Sequence, residues 1–497
     1  MPYSPFLPYT LENLPQRLQH PKNSPRTRLA QALHAYLKRL QAPQATLDQT
    51  ALLGHPHSQV VVTGQQAGLL GGPAYTFYKA HSARQLAHQH HQADRPAVAV
   101  FWIASQDHDT EEVCRTTLLD LNEQWHTLEL ALPPQHPAGR IPMAPYLGQI
   151  TDLLKAVGGN SSVTNRLQEA LGGARYYSDA LARLLLEFMP GLVVFDPMAP
   201  ELAPLFTEGI EQEIAQPLAS AEAINRTAQK MRQAGLEVAL RRAPGATNLF
   251  LEGADGQRRL LRYRQGQFDD GINPYSAAAL TAILHHQPAR LTPAAGLRPI
   301  LQDRVLPTAG FVVGPGELKY VAELGEVYAL HQLEPPAVIR RMGVTVLEPP
   351  VRRLLGQYGL DPQQFQQNPQ EQFAAALLQH HETAAALRKD LAQIETQFAT
   401  AAQRIPQLDP NLLRSLQRGR RRVTHELERL SHKLAQAELR REGLIRRQYQ
   451  RLEAHLVPQG QPQERFFPFV MYLLKHGPSL LGLLETLPAT GHHLLEL

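Results

Sequence analysis

The chain has 497 residues, 43% of them hydrophobic, and a formal net charge of only +4; that is enough for a large core and about two to four domains, and it excludes a chain that is basic throughout. No run approaches the roughly 18 consecutive apolar residues of a membrane span, and the opening MPYSPFLPYTLENLPQ lacks the basic-then-apolar layout of a secretory signal. The single cysteine, Cys114, excludes an internal disulfide framework and suits a reducing cytoplasm; a small buried side chain is expected there, with a catalytic thiol as the alternative.

Along the chain, Leu29, Leu33, Tyr36, Leu37 and Leu40 recur at helical spacing. A strand is expected at Val60–Val62, then a glycine-rich turn from Gly64 to Gly72, then a helix with Pro73 in its first turn, where the missing N–H loses nothing. Phe77, Ala80, Ala83 and Ala87 give that helix an apolar face. His88, His90 and His91 near its end read as solvated residues suited to a helix C-terminus. The next strand, Ala97–Ala104, delivers Asp107, His108 and Asp109 at its carboxyl end, followed by Glu111 and Glu112. Like charges this close repel, so such a loop is costly to assemble without a reason. Leu192–Phe195 repeats the strand-then-acid pattern at Asp196.

Leu249–Glu252 and Arg259–Arg264 flank an Asp255-Gly256 turn and read as a β-hairpin in a small inserted unit. At Ala309–Val313 a strand meets Gly314-Pro315-Gly316 and a helix beginning near Glu317, with Leu318, Val321, Leu324 and Val327 on one stripe. Strand, glycine turn and helix in that order, twice, outline an α/β sheet whose strand ends carry chemistry. Beyond Pro350 the pattern is helical. Phe373, Leu377, His380, Ala384, Leu387, Leu391, Ile394, Phe398, Ala401 and Ile405 step by four and three, a heptad seam. Asp409 and Pro410 would start a second helix, whose seam runs through Val423, Leu427, Leu430, Leu434 and Ala437. It slips near Arg441 and resumes at Ile445, Tyr449, Leu452 and Leu456. Two antiparallel helices joined at 406–409 would form a long arm, the second reaching roughly 65–70 Å at about 1.5 Å per residue. An arm of that length suits pairing with a second copy. Its arginines, including Arg420, Arg421, Arg422, Arg440, Arg441, Arg446 and Arg447, read as a solvated face or as a binder of polyanions. The chain after Val457, with Phe466, Phe467, Phe469 and Val470, is apolar enough to rejoin the core.

Three groups of residues can carry chemistry. Thr63-Gly64-Gln65-Gln66-Ala67-Gly68 is neither a GxGxxG fingerprint nor a Walker A loop. Its place before a helix start favours an anion, with the Gln65 and Gln66 amides orienting a polar group and Lys79 adding charge; packing glycines, solvated glutamines and a surface lysine are the structural reading. The Asp107-His108-Asp109 loop suits a Mg²⁺-assisted site, acid–base work by His108, or helix capping by Asp107 or Asp109. Arg298, Asp303 and Gly314-Pro315-Gly316-Glu317 form either a second wall of the same cleft or a buried Arg–Asp pair.

Four stretches, VVTGQQAGLLGGPAYTFYKA, FWIASQDHDTEEV, LRPILQDRVLPTAGFVVGPGELKY and PQERFFPFVMYLLKHG, resemble the cysteine ligase family of bacillithiol biosynthesis, in that family's order and over nearly the whole chain. The resemblance implies a Rossmann-like parallel-sheet core with inserted connecting segments, similar to class I aminoacyl-tRNA synthetases. It also implies a long antiparallel α-helical coiled-coil domain that mediates homodimerisation near a nucleotide-binding crevice. The implied reaction joins the carboxyl group of L-cysteine to the amine of glucosaminyl malate. An amide does not form usefully from a free carboxylate in water, so ATP is expected as the activating cosubstrate, with Mg²⁺ as the ion the acidic loop suits. One departure is visible: Gln106 stands where the family commonly has Glu, which removes a carboxylate from the loop.

On this reading residues 1–368 are the core, with a β-rich insertion at about 236–270; 369–456 are the arm; and 457–497 return to the core. His108, Asp107 and Asp109 are expected to be catalytic. Thr63, Gly64, Gln65, Gln66, Gly68, Gly314, Gly316 and Glu317 are expected at the nucleotide, and Lys79, Arg298, Asp303 and Tyr320 at the substrate. A Mn²⁺-dependent sugar-nucleotide transferase using the Asp-x-Asp loop and a non-catalytic nucleic-acid-binding protein are the alternatives. The glycine turns and the acidic loop oppose the latter, because the loop repels phosphates unless a metal intervenes.

Overall fold

The computed structural model describes residues 3–20, 22, 24–380, 382–404, 410–441 and 443–497. They divide into two compact units, 1–344 with 467–493, and 345–466 with 494–497. The stretch 345–368, expected with the core, packs with the helical unit. Val351, Leu354, Leu355, Tyr358 and Phe365 share one buried cluster with Phe373, Leu377, Ile445, Leu452 and Leu456.

In chain order the strands of the first unit are β1 (Gln59–Gln65), β2 (Ala97–Ile103), β3 (Arg115–Leu119), β4 (Trp125–Glu129), β5 (Val193–Phe195), β6 (Ala246–Glu252), β7 (Arg258–Arg264), β8 (Gln267–Asp269), β9 (Pro274–Tyr275), β10 (Leu291–Pro293), β11 (Thr308–Val313) and β12 (Ala337–Arg340). The central sheet has the order β12-β11-β1-β2-β5, with every pair parallel. Strands covered on both faces need continuous apolar runs, and Val60–Val62, Val98, Val100, Phe101, Ile103 and Phe311–Val313 supply them, all buried. From β1 the chain moves to β2 and β5 on one side, and later to β11 and β12 on the other. The order therefore reverses at β1 and β11, the place where open α/β sheets bind ligands at their carboxyl edge.

Strand β1 runs past the expected end at Val62 and carries Gly64 opposite Trp102. A Cβ on Gly64 would lie 2.6 Å from the Trp102 carbonyl oxygen, so glycine is what lets the two strand ends approach. The helix Tyr75–His90 begins two residues beyond Pro73. Pro73 bridges to Pro468, and Ala74 N–H donates to Phe467 O at 2.7 Å, which holds both residues ahead of the first turn. Phe77, Ala80, Ala83 and Ala87 are buried as expected, and His88 is exposed.

The inserted sheet has the order β10-β6-β7-β8-β9 and is antiparallel. Gly256, with φ +77°, makes the expected hairpin turn between β6 and β7. The sheet extends beyond the expected insertion at 236–270, because Leu291–Pro293 returns to pair with β6. A second hairpin, β3 with β4, follows the acidic loop and has no counterpart in the sequence reading. Asp196 is a buried anchor. It accepts hydrogen bonds from Ser105 Oγ, from Ser178 Oγ at 2.9 Å and from Met198 N–H at 2.8 Å, while burial pushes its carboxyl pKa up.

The second unit contains the helices Pro349–Tyr358, Pro369–His380, Glu382–Arg404, Leu413–Arg441 and Gly443–Leu456. Phe373, Leu377, Ile445, Leu452 and Leu456 of the seam are buried, and Ile394, Phe398, Ala401, Val423 and Tyr449 are half-buried. Thr424 Oγ1 donates to Glu395 Oε1 at 3.1 Å across two of these helices. On either side of the expected slip near Arg441 the described helices are Leu413–Arg441 and Gly443–Leu456, and residue 442 between them lies outside the described residues. The joint at 406–409 with its Asp409 cap, Ile405, and the seam side chains of His380, Ala384, Leu387, Leu391, Leu427, Leu430, Leu434 and Ala437 lie outside the described residues. Arg420, Arg421, Arg422, Arg446 and Arg447 are exposed, which fits a solvated helix face. No helix among the described residues is long and apolar enough to cross a membrane.

Candidate functional site

The carboxyl ends of β1, β2 and β11 bring the three predicted groups of residues to one edge. The turn after β1 is folded tightly on itself. A Cβ on Gly68 would meet Gly72 Cα at 2.5 Å, and the amides of Gly68, Gly71 and Gly72 donate to Gln66, Gly68 and Leu69 carbonyls within the turn. Those three amides are thus committed inside the turn. Thr63 is fully buried and gives its hydroxyl to Val312 O at 2.9 Å, which ties β1 to β11 beneath the site.

Gln66 reaches the acidic loop after β2. Its amide nitrogen donates to Asp107 Oδ2 at 2.7 Å and to Glu112 Oε2 at 2.6 Å, holding two carboxylates whose charges would otherwise drive them apart. Asp107 Oδ1 accepts the Asp109 N–H at 3.2 Å. The helix that follows, Thr110–Val113, has Asp109 at its N-cap position without a side-chain capping bond, so the capping reading of Asp109 does not hold. Gln106 is buried at the head of this loop, and its neutral amide adds no further charge beside Asp107.

His108 is half-buried, with its ring 5.4 Å from that of Phe250. Its Nδ1 lies 3.0 Å from a guanidinium nitrogen of Arg258, a buried side chain at the start of β7. Burial, and then the Arg258 charge, lower the His108 pKa; Asp107 and Asp109 act in the opposite direction. The sequence reading missed Arg258. Arg259, Arg262 and Arg264 share its strand and are half-buried or exposed, so nothing in the local pattern singles Arg258 out.

The third group is a connected network. Lys79, only 2% exposed, is not the surface lysine of the structural reading. Its ammonium donates to Gly64 O at 2.8 Å and Gln65 Oε1 at 2.9 Å and pairs with the Glu317 carboxylate, and burial lowers its pKa. Glu317 also accepts the Gly314 N–H at 2.7 Å and the Tyr320 hydroxyl at 3.4 Å. Burial pushes the Tyr320 hydroxyl up to about 12. Arg298 donates to Tyr320 OH at 3.3 Å and to Gln302 Oε1 at 2.8 Å, and its guanidinium lies over the Trp102 and Phe311 rings. The expected Arg298–Asp303 pair is a relay. Gln302 donates to Asp303 at 3.0 Å, Tyr328 donates to it at 2.6 Å, and Asp303 is buried beneath the site instead of facing it. Gly316 is exposed at the turn.

Gln65 and Gln66, adjacent on one strand end, therefore join the Lys79–Glu317 network to the Asp107–His108 loop. Cys114 is buried, and burial raises its thiol pKa, which disfavours the reactive thiolate. Among the described residues no group of three His, Cys, Asp or Glu side chains is arranged to hold a metal ion. An ion carried on nucleotide phosphates needs only one or two carboxylates, which Asp107, Asp109 and Glu112 can provide. A cavity of about 950 Å³, lined by Arg28, Arg140, Glu252, His285, His286 and Arg290 among others, includes none of these site residues.

Residues 5–342 match the family model described as bacillithiol biosynthesis BshC, N-terminal Rossmann-like domain, and residues 344–495 match the C-terminal coiled-coil domain of the same family. A protein of Thermus thermophilus named "Putative cysteine ligase BshC" is 49% identical over 482 residues, which cover 96% of this chain and 95% of the relative. A Symbiobacterium thermophilum protein of the same name is 32% identical, over 92% of this chain and 86% of its own length. One from Anoxybacillus flavithermus is 28% identical, over 92% and 88%.

Proposed function

The chain belongs to the BshC family of bacillithiol biosynthesis, and from that premise we propose that it is a ligase joining the carboxyl group of L-cysteine to the amine of glucosaminyl malate, with ATP activating the carboxyl group. A carboxylate in water is unreactive toward an amine. One of its oxygens must leave on a phosphoryl or adenylyl group before the C–N bond can form. Positioning and charge stabilisation then do most of the catalytic work.

The observation that carries this reading is the edge where the strand order reverses, with Gln65 and Gln66 linking the Lys79–Glu317 network to the Asp107–His108 loop. In it, Gln66 and Asp107 fix the acidic loop, and His108 with Asp109 works on the reacting groups. Tyr320, Arg298 and the Gly314–Gly316 turn form the second wall. Lys79 has its donors taken by Gly64, Gln65 and Glu317, so it acts by holding the wall together. Mg²⁺, where it takes part, arrives on the ATP phosphates and meets a carboxylate of the acidic loop.

The test is direct. Pure protein incubated with ATP, Mg²⁺, L-cysteine and glucosaminyl malate is expected to yield the thiol product by mass, with one ¹⁸O from labelled cysteine carboxylate in the released AMP or phosphate. ATP-independent product, or none, would sink the reading. A cytoplasmic location and a homodimer formed through the helical unit belong to the same proposal. A two-copy mass in light scattering, reduced to one copy when residues 369–456 are replaced by a short linker, is expected; a one-copy mass for the intact chain removes the dimer.

A further inference from the structure

We propose that Arg258 is a positioning residue that fixes His108 as the neutral ring protonated on Nε2, so that His108 meets the reacting groups as a hydrogen-bond donor. This deepens the reading of the reaction site given above, but the tautomer is a property of the folded chain with or without substrate.

Arg258 Nη1 stands 3.0 Å from His108 Nδ1. A guanidinium has donors and no acceptor, so the nitrogen facing it must supply a lone pair. A neutral imidazole with its Nδ1 lone pair in use carries its proton on Nε2. A second proton on Nδ1 would point one N–H at another and set two cations side by side. Burial lowers the Arg258 pKa only to about 10, so the guanidinium is cationic at neutral pH.

Arg258 is also held in place. Its Nε donates to Thr292 Oγ1 at 2.8 Å, its Nη2 to Pro293 O at 2.6 Å, and its plane lies 3.9 Å over the Phe250 ring. Thr292 and Pro293 come from β10, Phe250 from β6 and Arg258 from β7, so three adjacent strands of the inserted sheet serve one side chain. The charged groups facing His108 are Arg258 from that sheet and Asp107 and Asp109 from its own loop; burial and Arg258 outweigh the two carboxylates.

The chemical consequence is a division of roles. Nε2–H can donate to an oxygen that gains negative charge as the carboxyl group is activated or attacked. His108 cannot take the amine's proton without displacing its own, which leaves that proton to a carboxylate of the acidic loop, where Asp109, next to the ring in sequence, is exposed.

Long-range ¹H–¹⁵N correlation on ¹⁵N-histidine-labelled protein tests this without substrate. The chain has 22 histidines, so the His108 ring is assigned by the signal lost in H108Q. An unprotonated Nδ1 and a protonated Nε2 at neutral pH are expected; a protonated Nδ1 overturns the proposal. In R258M the ring is expected to populate both tautomers, because the donor that faces Nδ1 is gone. A wild-type pattern in folded R258M overturns it as well, and if R258M does not fold, the wild-type spectrum decides. Absence of any cysteine addition alongside the Nε2–H signature would sink the reaction and with it the donor role, while the tautomer assignment stands.

Discussion

Replacing His108 with alanine is expected to lower cysteine addition by about 10²–10⁴-fold, the range over which a positioned proton donor or acceptor acts in a transition state. The ring sits at the carboxyl end of a buried parallel strand, between the carboxylates of its own loop and a guanidinium fixed by the inserted sheet. Its removal deletes the donor and leaves Arg258 buried without the Nδ1 acceptor. The ring is half-buried against Phe250, so the folded state of the variant must be checked by circular dichroism before rates are compared. H108N, whose amide can still donate, should keep part of the activity. R258M made in the H108A background should add little, since groups acting as a unit are non-additive. H108A within threefold of wild type would take the ring out of the mechanism, and full additivity of the two changes would separate Arg258 from it.

The parallel sheet and its edge were legible because covered strands leave long apolar runs. Val60–Val62, Ala97–Ile103 and Ala309–Val313 each end at polar or glycine residues that do stand at the site. The heptad steps likewise marked Phe373, Leu377, Leu452 and Leu456 as a buried seam. What pattern could not reveal was partnership. Lys79 reads as one lysine in a helix, yet its ammonium meets Gly64 and Gln65, some 15 residues back, and Glu317 far along the chain. Arg258 is one of several strand arginines, and only the folding of the inserted sheet over the acidic loop gives it His108. Leu291–Pro293 was invisible as a strand because three residues, one of them proline, carry no periodicity; its pairing with β6 makes it one. Such contacts join residues distant in sequence, and local propensity has no access to them.

Lys79 is where stability and site geometry meet most directly, and K79M is expected to destabilise the first unit by about 3 kcal/mol. Removing one member of a buried ion pair costs about 3–5 kcal/mol, chiefly because the partner charge is stranded. The Glu317 side chain is 26% exposed, so water can recover part of that cost, which favours the lower end. The stranded carboxylate would keep the Gly314 N–H and the Tyr320 hydroxyl. Gly64 O and Gln65 Oε1 would lose their ammonium donor at the strand end that leads into Gln66 and the acidic loop. Activity should therefore fall together with stability, although Lys79 need not touch substrate. Trp102 and Trp125, the chain's two tryptophans, both lie in the first unit, so their fluorescence during urea unfolding follows that unit. The double variant K79M with E317Q, which removes the unpaired charge as well, should be less destabilised than the sum of the single changes and regain much of the urea midpoint. Single changes that add without coupling would mean the pair is no clamp, and the two walls would then have to be held by the sheet alone.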